Sequence, residues 1–103
     1  MKNKDKEMIE EMVRLQCNFN AQVNPDWKVA SNNWRSAIIA EAGELIDSTD
    51  YKWWKKTQQD LDNIRVEAID ILHFFISHLV EKYGEEEAIE IMLEGAEYVS
   101  STN

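Results

Sequence analysis

The sequence predicts an all-α protein: a small four-helix protomer forming a helical bundle that is completed by oligomerisation. Three observations carry this. The 103 residues include only 3 Gly and 1 Pro, too few turn formers for the many reversals of a sheet protein. Apolar residues recur every three or four positions rather than every two along the main segments. Finally, 44% apolar and 30% charged residues are the composition of a folded chain, but a chain of 103 residues makes a single domain, 1–103, with a small core. A core of that size favours association with further copies.

Helix one is expected over about 5–22, where Met8, Met12, Leu15 and Phe19 mark the helical repeat. Asn24-Pro25-Asp26 ends it, and 27–31 reads as loop. Ser31 or Asn32 is the expected cap of helix two, which carries Trp34, Ile38, Leu45 and Ile46 and frays near Ser48-Thr49-Asp50. The pattern leaves 51–56 unassigned. Asp60 or Asp62 is the expected cap of helix three, which runs to about Tyr83, and Gly84 suits the left-handed stop after it. Glu85-Glu86-Glu87 places negative charge in the first turn of helix four, where the helix dipole favours it. Its apolar set is Ala88, Ile89, Met92 and Ala96, and the polar tail from Ser100 is expected to fray.

Helix three is apolar almost all round between Ala68 and Val80, apart from a stripe of Glu67, Asp70, Ser77 and Glu81 with His73 alongside. A helix greasy on most faces needs neighbours on most faces, so this one is expected near a subunit interface. Trp34 is expected in the core.

The formal net charge of −9 argues against a nucleic-acid polymer as partner, since phosphate backbones are bound by clustered Lys and Arg. It also argues against an anionic membrane surface. A nucleotide remains open as a ligand if a metal carries the positive charge. Cys17 is the single cysteine, so no intrachain disulfide forms, which fits a reducing cytoplasm. The opening Met1-Lys2-Asn3-Lys4-Asp5-Lys6-Glu7 has no apolar run behind it and does not read as a signal peptide. The greasiest segment is too short to span a bilayer.

Two acid pairs dominate the chemistry: Glu41 with Glu44, then Glu67 with Asp70. Residues three apart share one helix face, so each pair projects two carboxylates from an apolar helix. Like charges at that spacing repel, and burying them is costly without a compensating cation. Two such helices side by side would converge four carboxylates, an oxygen-only donor set suited to two or more Mg²⁺ ions, with Mn²⁺ as an alternative. A single pair would read as a solvated face; two pairs in apolar helices favour metal. His73 and His78 read as packing residues rather than zinc ligands, and Cys17 as a small apolar filler or pocket neighbour rather than a nucleophile.

The chain resembles the dimeric, all-α dUTPases. The likeness lies in Glu41-Ala42-Gly43-Glu44-Leu45-Ile46-Asp47-Ser48, in Tyr51-Lys52-Trp53-Trp54-Lys55, in Arg65-Val66-Glu67-Ala68-Ile69-Asp70-Ile71-Leu72-His73-Phe74, and in Leu15-Gln16-Cys17-Asn18-Phe19-Asn20. The acid pattern alone indicates the wider all-α NTP pyrophosphatase superfamily, which includes MazG-like proteins and dCTP pyrophosphatases. The other runs point to the dUTPase branch. The resemblance implies Mg²⁺-dependent hydrolysis of dUTP to dUMP and pyrophosphate, and of dUDP to dUMP, with attack away from the α-phosphorus. It implies Glu41, Glu44, Glu67 and Asp70 as metal ligands, Glu44 as the water-activating carboxylate, and a homo-oligomer, dimer or tetramer.

Gln16 and Asn20 lie four apart and share a face, and carboxamides can match the donor–acceptor edge of uracil. The resemblance assigns them to reading that base; the alternative is a pair of solvent-facing amides. Trp53 and Trp54 either wall the base pocket or plug the bundle end. Lys55, in the run Lys52, Lys55, Lys56, is a candidate phosphate contact, with a solvated lysine cluster as the alternative.

The family carries a later segment rich in Lys, Asn and Arg that closes on the phosphates. Residues 84–103 contain no Lys or Arg. Two explanations stand: a fragment without its phosphate clamp, or a compact form that closes its site with another subunit. The rival readings are a MazG-like or dCTP pyrophosphatase of different specificity and a catalytically weak dimerisation module.

Overall fold

Where each helix starts and stops follows from which side chains can satisfy its loose backbone ends. In a computed structural model, which describes residues 3–54, 56 and 58–102 (the side chains of 3 and 100–102 excepted), the chain forms four helices. These are α1 (Asn3–Val23), α2 (Trp34–Asp47), α3 (Leu61–Tyr83) and α4 (Glu85–Thr102), and no strand occurs among the described residues. The all-α fold class is as expected.

Asn33 caps α2: its Oδ1 accepts the Ser36 N–H at 3.0 Å. This corrects the expectation of Ser31 or Asn32. Ser31 instead takes φ 56°, the left-handed region, and turns the chain two residues ahead of the cap. Asp60 does cap α3, accepting the Asn63 N–H at 3.1 Å. Gly84 has φ 87° and donates its N–H to the Val80 carbonyl at 2.8 Å, the left-handed stop that the sequence predicts. α4 stays helical through Thr102 rather than fraying from Ser100.

The segment after α1 is a pair of turns, with the Trp27 N–H on the Asn24 carbonyl and the Val29 N–H on the Asp26 carbonyl. The longer connection between α2 and α3 is closed at its base by the Asp60 N–H donating to the Ser48 carbonyl at 2.9 Å. That bond holds the end of α2 near the start of α3, the two helices that carry the acid pairs.

The chain divides into two compact units. The first comprises 1–32 and 76–103. In it α1 packs on α4 around Val13, Cys17, Trp27, Ile76, Val80, Ala88 and Leu93. The stripe that marks α1 as a helix in the sequence is not its buried face. Met8, Met12, Leu15 and Phe19 are exposed, while Val13, Gln16, Cys17 and Asn20 point inward.

The second unit, 33–75, holds α2, the connection and the first part of α3. Trp34 is half-buried there, its ring 5.9 Å from that of Phe74. α2 buries no residue at all. Among the described residues of this unit only Ser48 and Glu67 are buried, and both are polar. Ile39, Ile46, Val66, Ile69, Leu72 and Phe75 stand exposed.

Candidate functional site

The acid pairs lie in the second unit, Glu41 and Glu44 on α2, Glu67 and Asp70 on α3. Glu41 and Asp70 are half-buried, Glu44 is exposed, and Glu67 is 8% exposed. Desolvation pushes the Glu41 carboxyl above the ordinary carboxylate range. The negative charges of Glu44 and Asp70, a hydrogen bond with Glu44 and the charge of Glu67 push it further the same way. One carboxylate therefore feels the other three, and the acids of the two helices share one electrostatic field.

The donor set is all oxygen, which suits a hard ion such as Mg²⁺. Among the described residues no three of these groups close into a ready set of ligands.

Glu67 has a dedicated partner. The Ser48 hydroxyl donates to its two oxygens, at 3.1 and 3.2 Å. Ser48 also ends α2, its backbone N–H on the Glu44 carbonyl at 3.0 Å. One residue thus terminates the helix of the first acid pair and holds a carboxylate of the second. The sequence reading did not single out Ser48 as a site residue. The available signal was a hydroxyl residue one turn beyond Glu44.

Gln16 and Asn20 lie in the first unit. They are 6% and 8% exposed, so they are not the solvent-facing amides of the bland alternative. Gln16 Nε2 donates to Asn20 Oδ1 at 2.9 Å, and Asn20 Nδ2 donates to Ser77 Oγ at 2.8 Å. Burial of two amides is tolerable because each finds a partner.

Trp53 and Trp54 sit on the α2–α3 connection, with ring centroids 5.7 Å apart and nearly perpendicular planes. Tyr51 meets Trp54 edge-on at 6.3 Å, and the Lys52 ammonium lies 5.6 Å from the Tyr51 ring. Trp53 is 89% exposed and Trp54 is exposed too, so within this chain neither plugs a bundle end. Lys55 lies outside the described residues. Cys17 is buried, and its thiol is pushed up to about 11, first by burial and then by its hydrogen bond with Glu85, so it is no nucleophile near neutral pH.

An all-helical chain with an acid pair on each of two successive helices has the make-up of the all-α nucleotide pyrophosphohydrolases. A family model described as dUTPase matches residues 8–102, nearly the whole chain. The chain belongs to that family and is a dUTP diphosphatase-like enzyme. No curated protein and no solved structure matches it. Among the described residues no helix is long and apolar enough to cross a membrane.

Proposed function

We propose that the protein hydrolyses dUTP to dUMP and pyrophosphate, and dUDP to dUMP and phosphate, in a Mg²⁺-dependent reaction in the cytoplasm. What carries this is the match to the dUTPase family over residues 8–102, supported by the Glu41 carboxyl, which desolvation and the acids of both pairs push up. Such a cluster is costly alone and favourable around a cation. Glu41, Glu44, Glu67 and Asp70 would hold the ion, which when bound neutralises phosphate charge and acidifies a water.

Glu44 is the most exposed of the four acids and takes the proton of the attacking water. The water oxygen joins the β-phosphorus as the bond from that phosphorus to the α–β bridging oxygen breaks. The bridging oxygen leaves with dUMP, and the water oxygen with pyrophosphate. Ser48 keeps Glu67 aimed, and the rest of the catalysis is positioning and charge neutralisation. Gln16 and Asn20 read the uracil edge, Trp53 or Trp54 covers the base, and Lys55 meets a phosphate.

The working form is a homodimer. The exposed Ile39, Ile46, Ile69, Leu72 and Phe75, in a unit that buries no apolar side chain among its described residues, support a second copy covering them.

The test is pyrophosphate release from a panel of deoxynucleotides with Mg²⁺, for wild type and Glu44→Gln, with mass from light scattering. Wild type is expected to prefer dUTP, and Glu44→Gln to lose at least about 10²-fold in kcat, in line with removal of a general base. Preference for a cytosine or purine nucleotide, or full activity of the variant, refutes the assignment.

A further inference from the structure

The Ser48 hydroxyl stands in front of the Glu67 carboxylate rather than to one side of it. Its Oγ lies 3.1 Å from one carboxylate oxygen and 3.2 Å from the other. An ionised carboxylate only accepts, so the hydroxyl is the donor and its one proton is shared between both oxygens. An atom within hydrogen-bond reach of both oxygens at once sits near the bisector of the carboxylate, facing its carbon.

That hydroxyl is also held in place. Ser48 is 8% exposed, and its backbone is tied on both sides. Its N–H donates to the Glu44 carbonyl at 3.0 Å, and its carbonyl accepts the Asp60 N–H at 2.9 Å. All of these residues lie within the second unit. Glu67 is as buried as Ser48, so its carboxylate is largely shielded from solvent.

A cation can meet a carboxylate in two ways. Holding one oxygen, it stands off to the side; holding both, it stands on the bisector. Mg²⁺ demands near-octahedral angles at about 2.0–2.1 Å, which the narrow bite of a two-oxygen grip does not meet. Ca²⁺ takes six to eight oxygens at about 2.3–2.6 Å in flexible geometry and readily grips both. The bisector of Glu67 is the place that Ser48 Oγ already fills. A side-on approach to one oxygen is compatible with the hydroxyl, and a two-oxygen grip is not.

We propose that Ser48 is a positioning residue that holds Glu67 to one-oxygen coordination and thereby disfavours Ca²⁺ relative to Mg²⁺ at the site. This rests on the reading of Glu67 as a ligand of the catalytic ion. Ser48 acts through Glu67, as a neighbour that orients a ligand and tunes which ion it suits.

The experiment is calorimetry with Mg²⁺ alone and with Ca²⁺ alone, without nucleotide, on wild type, Ser48→Ala, Ser48→Cys and Glu67→Gln. Cys keeps the shape of Ser closely but its S–H is a weak donor, so it serves if the alanine variant fails to fold. With the bisector open, Ca²⁺ gains the second oxygen. The ratio of Kd for Ca²⁺ to Kd for Mg²⁺ should fall about tenfold in Ala, the worth of one hydrogen bond to a charged group. A merely structural loss would weaken both ions together and leave the ratio alone. Infrared difference spectra give a second readout, because the antisymmetric carboxylate stretch moves to lower frequency when one ion holds both oxygens. Ca²⁺-loaded Ser48→Ala should gain such a band over wild type, and adding Glu67→Gln should remove it. A ratio within about twofold of wild type in Ala (in Cys, if Ala does not fold), or no band gained, overturns this inference alone. Wild type that binds Mg²⁺ no better than Glu67→Gln overturns the reading of Glu67 as a ligand, and this inference with it.

Discussion

Replacing Ser48 with Ala removes one hydroxyl from the interior of the second unit and leaves the Glu67 carboxylate, 8% exposed, without the donor that bridges its two oxygens. Hydrogen bonds to charged groups contribute about 1.5–3 kcal/mol. Here the contacts are 3.1 and 3.2 Å, longer than the ~2.7–2.8 Å typical of O–H···O, and one proton is shared between two oxygens. The low end is therefore expected, about 1.5 kcal/mol, or roughly tenfold in the folding equilibrium. Urea unfolding in EDTA at fixed protein concentration measures it. Repeating the titration in Mg²⁺ should shrink the difference, because the ion then supplies the compensation that the hydroxyl gave. A double-mutant cycle with Glu67→Gln isolates the pair. A loss below about 0.5 kcal/mol in EDTA, the range of ordinary surface substitutions, sinks the idea that Ser48 holds Glu67.

Titration of the acid cluster gives a second expectation. The folded-state pKa of Glu41 is raised, so its stabilising contribution is full below the unfolded value of about 4.3 and is lost as pH rises through the folded value. In EDTA, wild-type stability relative to Glu41→Gln should fall as pH climbs through that window; Mg²⁺ should cancel the fall, and a flat difference counts against the shared field. By the same linkage, Mg²⁺ affinity from calorimetry should weaken on acidification, as protons compete for the ligands. Gly84→Ala should cost about 1 kcal/mol in urea unfolding, because φ is 87° while a Cβ there meets nothing within 4 Å, which leaves backbone strain as the whole effect. Alkylation of Cys17 at pH 8 should run roughly 200-fold slower in the folded protein than in urea, the thiolate ratio for a pKa of about 11 against an ordinary one; equal rates would contradict its burial.

Local chemistry was legible in the sequence wherever one residue decides it. Asp60 caps α3 and Gly84 stops it because a carboxylate accepting a nearby N–H and a residue without a Cβ act within a few positions of themselves. The cap of α2 was misplaced because Ser31, Asn32 and Asn33 are all competent, and only the backbone path selects Asn33. The periodic stripe of α1 established a helix but not its inner face. Met8, Met12, Leu15 and Phe19 mark an apolar side, yet the side that meets α3 and α4 includes Gln16 and Asn20, stabilised there by a hydroxyl 57 residues away. Periodicity records that a helix has sides; which side is buried depends on what arrives against it.

The sequence by itself determined the all-α class, the four helices, the two acid pairs and the family to which they belong. Each is set by residue types at short spacing, where covalent connectivity brings the groups together. Only the tertiary structure decided that the other three acids act on the Glu41 carboxyl, that Ser48 holds Glu67, and that Asn20 donates to Ser77. Those are pairings between separate helices. Their energies depend on distance, burial and the direction of each hydrogen bond, and these quantities exist only once the chain has closed on itself.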